Sequence, residues 1–112
     1  MDRKEAVRRY KETPRPAGVY RVLHKLSGRV LVGASTDAQA MLRRIRVQLE
    51  MDSHPNKQLQ HDWITAGKVG FVFEVVDLLD EPDRPAHDIT QDLETLDELW
   101  RDKLHRDSTP TY

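Results

Sequence analysis

Arg43, Arg44 and Arg46 place three guanidinium groups within four residues. Each offers several N–H donors in a fixed plane, a chemistry that neutralises and grips phosphate oxygens. Their surroundings share that sign. Residues 1–70 hold fourteen of the eighteen Lys and Arg and seven of the nineteen Asp and Glu, whereas residues 71–112 hold the other four and twelve. A net charge of −1 therefore conceals a chain that is basic in its first part and acidic in its second. For a nucleic-acid partner, DNA or another, the phosphates are expected along the basic part, at Arg43, Arg44, Arg46 and Lys57. The arginine trio equally suits a solvated helix face.

Other chemistries are excluded by residue type or spacing. There is no cysteine, so disulfides, thiol catalysis and thiolate metal sites are absent. The five histidines include no His-Glu-x-x-His pattern, the glycines form no phosphate loop, and no serine sits in a nucleophile elbow. No stretch approaches the roughly 20 apolar residues that span a bilayer, and no apolar signal segment follows Met1. A soluble, cytoplasmic protein is expected, with one domain in 112 residues.

The elements that must position these groups are legible from periodicity. Residues 2–12 carry Ala6, Val7 and Tyr10 at helical spacing and are stopped by Thr13-Pro14-Arg15-Pro16, giving an N-terminal helix and linker over 1–17. Gly18 to His24 and Arg29 to Gly33 are Val- and Leu-rich runs around Lys25-Leu26-Ser27-Gly28, a β-hairpin signal. Thr36-Asp37-Ala38-Gln39 has capping-box spacing, and Ala38, Met41, Leu42, Ile45 and Leu49 mark one face of the helix that follows. Ser53 or Asn56 caps a second helix with Leu59, Trp63 and Ile64 inward. Phe71 to Leu79 reads as a strand covered on both faces, and 80–85 as an acidic, proline-containing loop. A last helix carries Leu93, Leu96, Leu99, Trp100 and Leu104, leaving a domain over 18–105 and a flexible tail over 106–112.

Four blocks in this order carry a resemblance: Gly18-Val19-Tyr20, Val30-Leu31-Val32-Gly33, the stretch from His54 to Trp63, and Phe71-Val72-Phe73-Glu74-Val75. Together they resemble a divergent member of the GIY-YIG endonuclease superfamily over most of residues 18–104. The resemblance implies an α+β fold, with a small three-stranded antiparallel sheet flanked by helices. It also implies phosphodiester hydrolysis assisted by one divalent metal, Mg²⁺ or Mn²⁺, in which a tyrosine helps activate water, an arginine steadies the phosphate and a carboxylate on the last helix holds the metal.

Carried over residue by residue, the resemblance gives Tyr20 as the first tyrosine and places Leu31 where the second is expected, so that hydroxyl is lost. The usual arginine position falls on Met41 and the histidine one turn later on Ile45, both apolar. Arg44 is the nearest cation, about 60° off that stripe at 100° per residue. His54 stands where many members keep a histidine. The metal position falls on Asp97, with Glu94 and Glu98 as neighbouring carboxylates, and the asparagine often found after this helix has no counterpart in 107–112. The catalytic set expected is Tyr20, Arg44 and His54, with Asp97 and Glu94 for metal, in a nucleic-acid-binding domain whose hydrolysis is weak or lost. The alternative is a protein-interaction or homodimer module in which Leu31, Met41 and Ile45 turn the former cleft into an apolar patch.

Overall fold

The computed structural model describes residues 17–79 and 86–112. The helix expected over 2–12 and the loop over 80–85 lie outside the described residues. The chain runs β1 (Gly18–His24), β2 (Val30–Ser35), α1 (Ala38–Glu50), α2 (Lys57–Ala66), a 3-10 turn (Lys68–Gly70), β3 (Phe71–Leu78) and α3 (Ala86–Arg106). The three strands form one antiparallel sheet in the order β2-β1-β3, so β1 is central and β2 is an edge. This is the α+β arrangement expected from the sequence, with helices on both faces of the sheet.

Period-two alternation in β1 sends its residues to two different cores. Val22 joins Leu42, Ile45 and Leu49 of α1, Leu59 and Trp63 of α2, and Phe71, with Tyr20, Leu31, Met41, Phe73 and Val75 packed around them. Val19, on the other face, joins Val30 and Val32, with Leu96, Trp100 and Leu104 of α3 laid over them. No second domain is needed to cover either face.

The helix starts follow from side-chain caps. Asp37, rather than the expected Thr36, caps α1: its carboxylate accepts the Ala40 N–H at 3.0 Å, while Ser35 Oγ accepts the Asp37 N–H. An aspartate in the next position is the better acceptor for those orphan donors, and it shifts the cap by one residue. Asn56 caps α2 as expected, accepting from Leu59 N at 3.1 Å. Buried Gln60 bolts α2 to α1: its Nε2 donates to Leu49 O at 3.0 Å and its Oε1 accepts from His54 N at 3.0 Å.

The segment 106–112, expected as a flexible tail, is instead docked on the β2 edge. Thr111 makes a parallel bridge to Val30, with Val30 N donating to Pro110 O at 3.0 Å and Tyr112 N to Val30 O at 2.9 Å. An unpaired edge strand is a template for another strand, and this short stretch meets that demand without any periodicity of its own. Tyr112 also donates its hydroxyl to Asp62 Oδ2 at 2.6 Å, and the Arg29 guanidinium lies 5.8 Å from its ring centroid. Among the described residues no helix is long and apolar enough to cross a membrane.

Candidate functional site

β1 presents Tyr20 opposite Gly33 of β2. A bulge between Val19 and Tyr20 shifts the register against β3, so that Val19 faces Asp77 but Tyr20 faces Val75. Bulges re-aim the side chain that follows them. Gly33 is required by the result: a Cβ there would lie 2.6 Å from Tyr20 Cζ, so only a bare backbone lets the phenol cross β2. Gly18 is needed on the other side, where an added Cβ would run into the Asp77 carbonyl. The two glycines flanking the signature tyrosine therefore serve close approach.

Across β2, α3 brings two charges to that phenol. Arg101 Nε donates to Asp97 Oδ2 at 2.8 Å, and Arg101 Nη2 donates to Val32 O at 3.2 Å, tying the helix to the sheet edge. The other Asp97 oxygen, Oδ1, is buried and has no hydrogen-bond partner. A carboxylate oxygen out of water and unpaired is costly, and such an atom is suited to a cation. Burial raises the Tyr20 pKa above its ordinary value; the Asp97 carboxylate raises it further and the Arg101 guanidinium opposes. At neutral pH the Tyr20 hydroxyl is thus protonated, able to donate one hydrogen bond and to accept others.

The remaining sequence-predicted residues lie elsewhere. Arg44 is exposed, as are Arg43 and Arg46, because α1 turns Ala38, Leu42, Ile45 and Leu49 inward. Among the described residues no hydrogen bond or ion pair joins Arg44 to Tyr20 or Asp97, and Arg46 pairs along the helix with Glu50 at 3.2 Å. Lys57 is exposed at the start of α2. His54 is built into the connection before α2, where its Nδ1 accepts from Asn56 N at 3.0 Å, and burial lowers its pKa below the ordinary value. Glu94 and Glu98 are exposed on α3. Among the described residues no group of three His, Asp or Glu side chains converges to hold a metal, so Asp97 is a lone carboxylate ligand candidate.

Leu31, Met41 and Ile45, the three apolar replacements, face the interior. Ile45 is 4% exposed, and Leu31 and Met41 are half-buried against the same core. They pack between the sheet and α1, with Leu31 also on the wall of a groove at the β2 edge.

Arg101 is the residue that sequence reasoning missed. Its signal is in the chain: Asp97 and Arg101 stand at i and i+4, a spacing that pairs opposite charges on one helix face. What the spacing cannot say is that this face meets the β2 edge beside Tyr20.

Solved structures share the fold of this chain. It is similar to the catalytic domain of homing endonuclease I-TevI, with a TM-score of 0.62 and 19% sequence identity over 84% of this chain and 94% of that one. It is also similar to a mutant of the catalytic domain of intron endonuclease I-TevI, with a TM-score of 0.52 and 23% identity over 72% of this chain and 84% of that one. At these identities the likeness is one of fold, and the GIY-YIG-like fold expected from the four sequence blocks is the fold observed. No family model matches the chain, and no curated protein matches it in sequence.

Proposed function

We propose, from that shared fold, that this is a nuclease-like domain that binds nucleic acid and hydrolyses phosphodiesters slowly with the help of a divalent cation. The observation that carries the reading is the buried Asp97 Oδ1 without a hydrogen-bond partner, on a carboxylate that pairs with the Arg101 guanidinium and acts electrostatically on the Tyr20 phenol.

Each residue has a task that its surroundings permit. Arg101 is held by Asp97 Oδ2 and Val32 O, which fixes its plane and leaves further N–H donors for a phosphate oxygen. Tyr20, protonated at neutral pH, orients a water or a phosphate oxygen and is not a resting phenolate base. With Leu31 in place of a second hydroxyl, no neighbouring phenol takes part in moving the proton, and hydrolysis is slow as a consequence. Asp97 Oδ1 fits Mg²⁺ or Mn²⁺, which when bound supplies charge stabilisation to the phosphoryl group. Arg43, Arg44, Arg46 and Lys57 add exposed positive charge for the phosphate backbone away from the reacting bond.

Incubating the pure protein with supercoiled plasmid and Mg²⁺ or Mn²⁺ tests this reading. Slow, metal-dependent nicking is expected, reduced about 100-fold by Asp97→Asn or Arg101→Ala, the scale of losing one preorganised electrostatic group. Nicking that persists in chelator, or that Asp97→Asn leaves unchanged, defeats the assignment. Duplex affinity that does not fall as salt rises defeats the binding half.

A further inference from the structure

A groove of 510 Å³ runs along the β2 edge, walled by Val30 to Val32, by Arg101 and His105 of α3, and by the docked tail at Thr109, Thr111 and Tyr112. Residues 71–112 contain twelve Asp and Glu and only four Lys and Arg, yet three of those four, Arg101, Lys103 and Arg106, fall in the last two turns of α3. No Asp or Glu is among the described residues that line the groove, while an arginine, a histidine and three hydroxyl-bearing side chains do. Arg29 adds a cation at the tail side, donating to Thr111 O at 3.5 Å and lying over the Tyr112 ring.

This set of groups suits a polyanion. Guanidinium, imidazole and hydroxyl groups all present donors to phosphate oxygens, and a lining without Asp or Glu side chains limits like-charge repulsion of an anionic chain. The groove also has a direction. Its α3 wall includes Arg101, the group that touches Asp97 and bears on Tyr20, so a strand lying in the groove from Arg29 to Arg101 arrives at the reactive corner.

We propose that the β2-edge groove seats one unpaired strand of nucleic acid, with its phosphates against Arg29, His105 and Arg101, and that the docked tail is a wall of this seat. The inference rests on the nuclease-like reading above and names the form of substrate that reading leaves open. It places the single strand on the side of the sheet away from the arginine face of α1.

The test is the affinity of the full chain for a short fluorescein-labelled oligodeoxythymidine, in chelator to prevent cleavage, together with amide shifts in NMR spectra. Thr109→Glu, which sets a carboxylate in the groove, should weaken binding about tenfold. Arg29→Ala should lower the slope of log affinity against log salt by about 0.7, the share of one phosphate contact on a single strand. His105→Ala, on an exposed side chain, provides a variant that leaves the tail contacts intact. The oligonucleotide should shift the amides of Val32, Thr109 and Thr111. Shifts confined to α1, or affinity untouched by both Thr109→Glu and His105→Ala, overturn the proposal. So does binding in the groove that is indifferent to salt and to Arg29→Ala, because the phosphates are then not what the groove holds. Groove binding without plasmid nicking upholds the seat and removes the hydrolysis. Nicking by a protein whose groove variants bind normally removes the seat alone.

Discussion

The two helices that sandwich the sheet differ in what they leave unsatisfied. On the α1 side, apolar residues stand at three positions that the resemblance assigns to chemistry: Met41 and Leu31 are half-buried, Ile45 is buried, and all three pack on one core with Val22 and Trp63. On the α3 side a buried carboxylate oxygen lacks a partner, and the guanidinium beside it has spare donors. Packing forces tend to remove such atoms, because an unpaired buried acceptor costs about 1–3 kcal/mol or more. Its persistence on the α3 face, against filling by Leu31, Met41 and Ile45 on the α1 face, separates a face that keeps reactive groups from one given over largely to stability, with Tyr20 packed on the α1-side core and crossing β2 toward the α3 charges.

The separation can be broken most forcefully from the α1 side. Ile45→Ala removes buried methyl and methylene groups that α1 sets against Val22 and Leu59, and should cost about 3 kcal/mol in denaturant unfolding. Its plasmid nicking, measured where the variant is fully folded, should stay within about twofold of the parent. Asp97→Asn should do the reverse, with a large loss of nicking and little loss of stability. If Ile45→Ala were as damaging to nicking as Asp97→Asn in folded protein, α1 would belong to the reactive side and the contrast would fail.

How much of this division the sequence discloses depends on distance along the chain. The hairpin, the three helices and β3 are legible because each rests on local periodicity or caps, and the four blocks in order make the fold recognisable. Tyr20 and Asp97 are legible as positions for the same reason. Arg101 is not, because its importance arises where α3 crosses β2, sixty-nine residues from Val32. The tail is missed on similar grounds: Thr111 pairs with an edge strand far earlier in the chain, and no local pattern encodes that bridge. The cap of α1 is misplaced by one residue because Thr36 and Asp37 both carry acceptors, and only backbone geometry selects between them.

A smaller effect probes the tail that walls the groove. Tyr112→Phe deletes the hydroxyl donated to Asp62 and should cost about 1.5 kcal/mol, the range for a hydrogen bond to a charged group. The same variant has a pH signature. Burial, and then Asp62, push the Tyr112 pKa above its ordinary value, and burial does so for Tyr20. The folded state therefore holds these protons at pH values where the unfolded state releases them. Their stabilisation is fully present below the ordinary tyrosine value of 10.0 and declines as pH rises beyond it. Unfolding free energy should fall above about pH 10 in the parent, and less steeply in Tyr112→Phe, where Tyr20 alone of this pair remains. An equally steep fall in both proteins would mean that the tail is not held through this hydroxyl.

The smallest effect lies on the outer face of α1 and defines where that helix stops being purely structural. Arg46 and Glu50 form an exposed i,i+4 pair with side chains 47% and 50% accessible, so solvent and salt screen it. Arg46→Ala should change unfolding free energy by no more than about 0.5 kcal/mol. Binding to duplex DNA reads a different quantity, because a phosphate contact by Arg46 releases a counterion whether or not the helix is stabilised. The slope of log affinity against log salt should fall by about 0.9 for that one contact. Unchanged slope with unchanged stability would make the arginine trio a solvated surface and leave the β2 edge as the side of the molecule that meets nucleic acid. A reduced slope would assign α1 two roles on opposite sides of one helix, with its inner stripe holding the sheet and its outer stripe meeting phosphate.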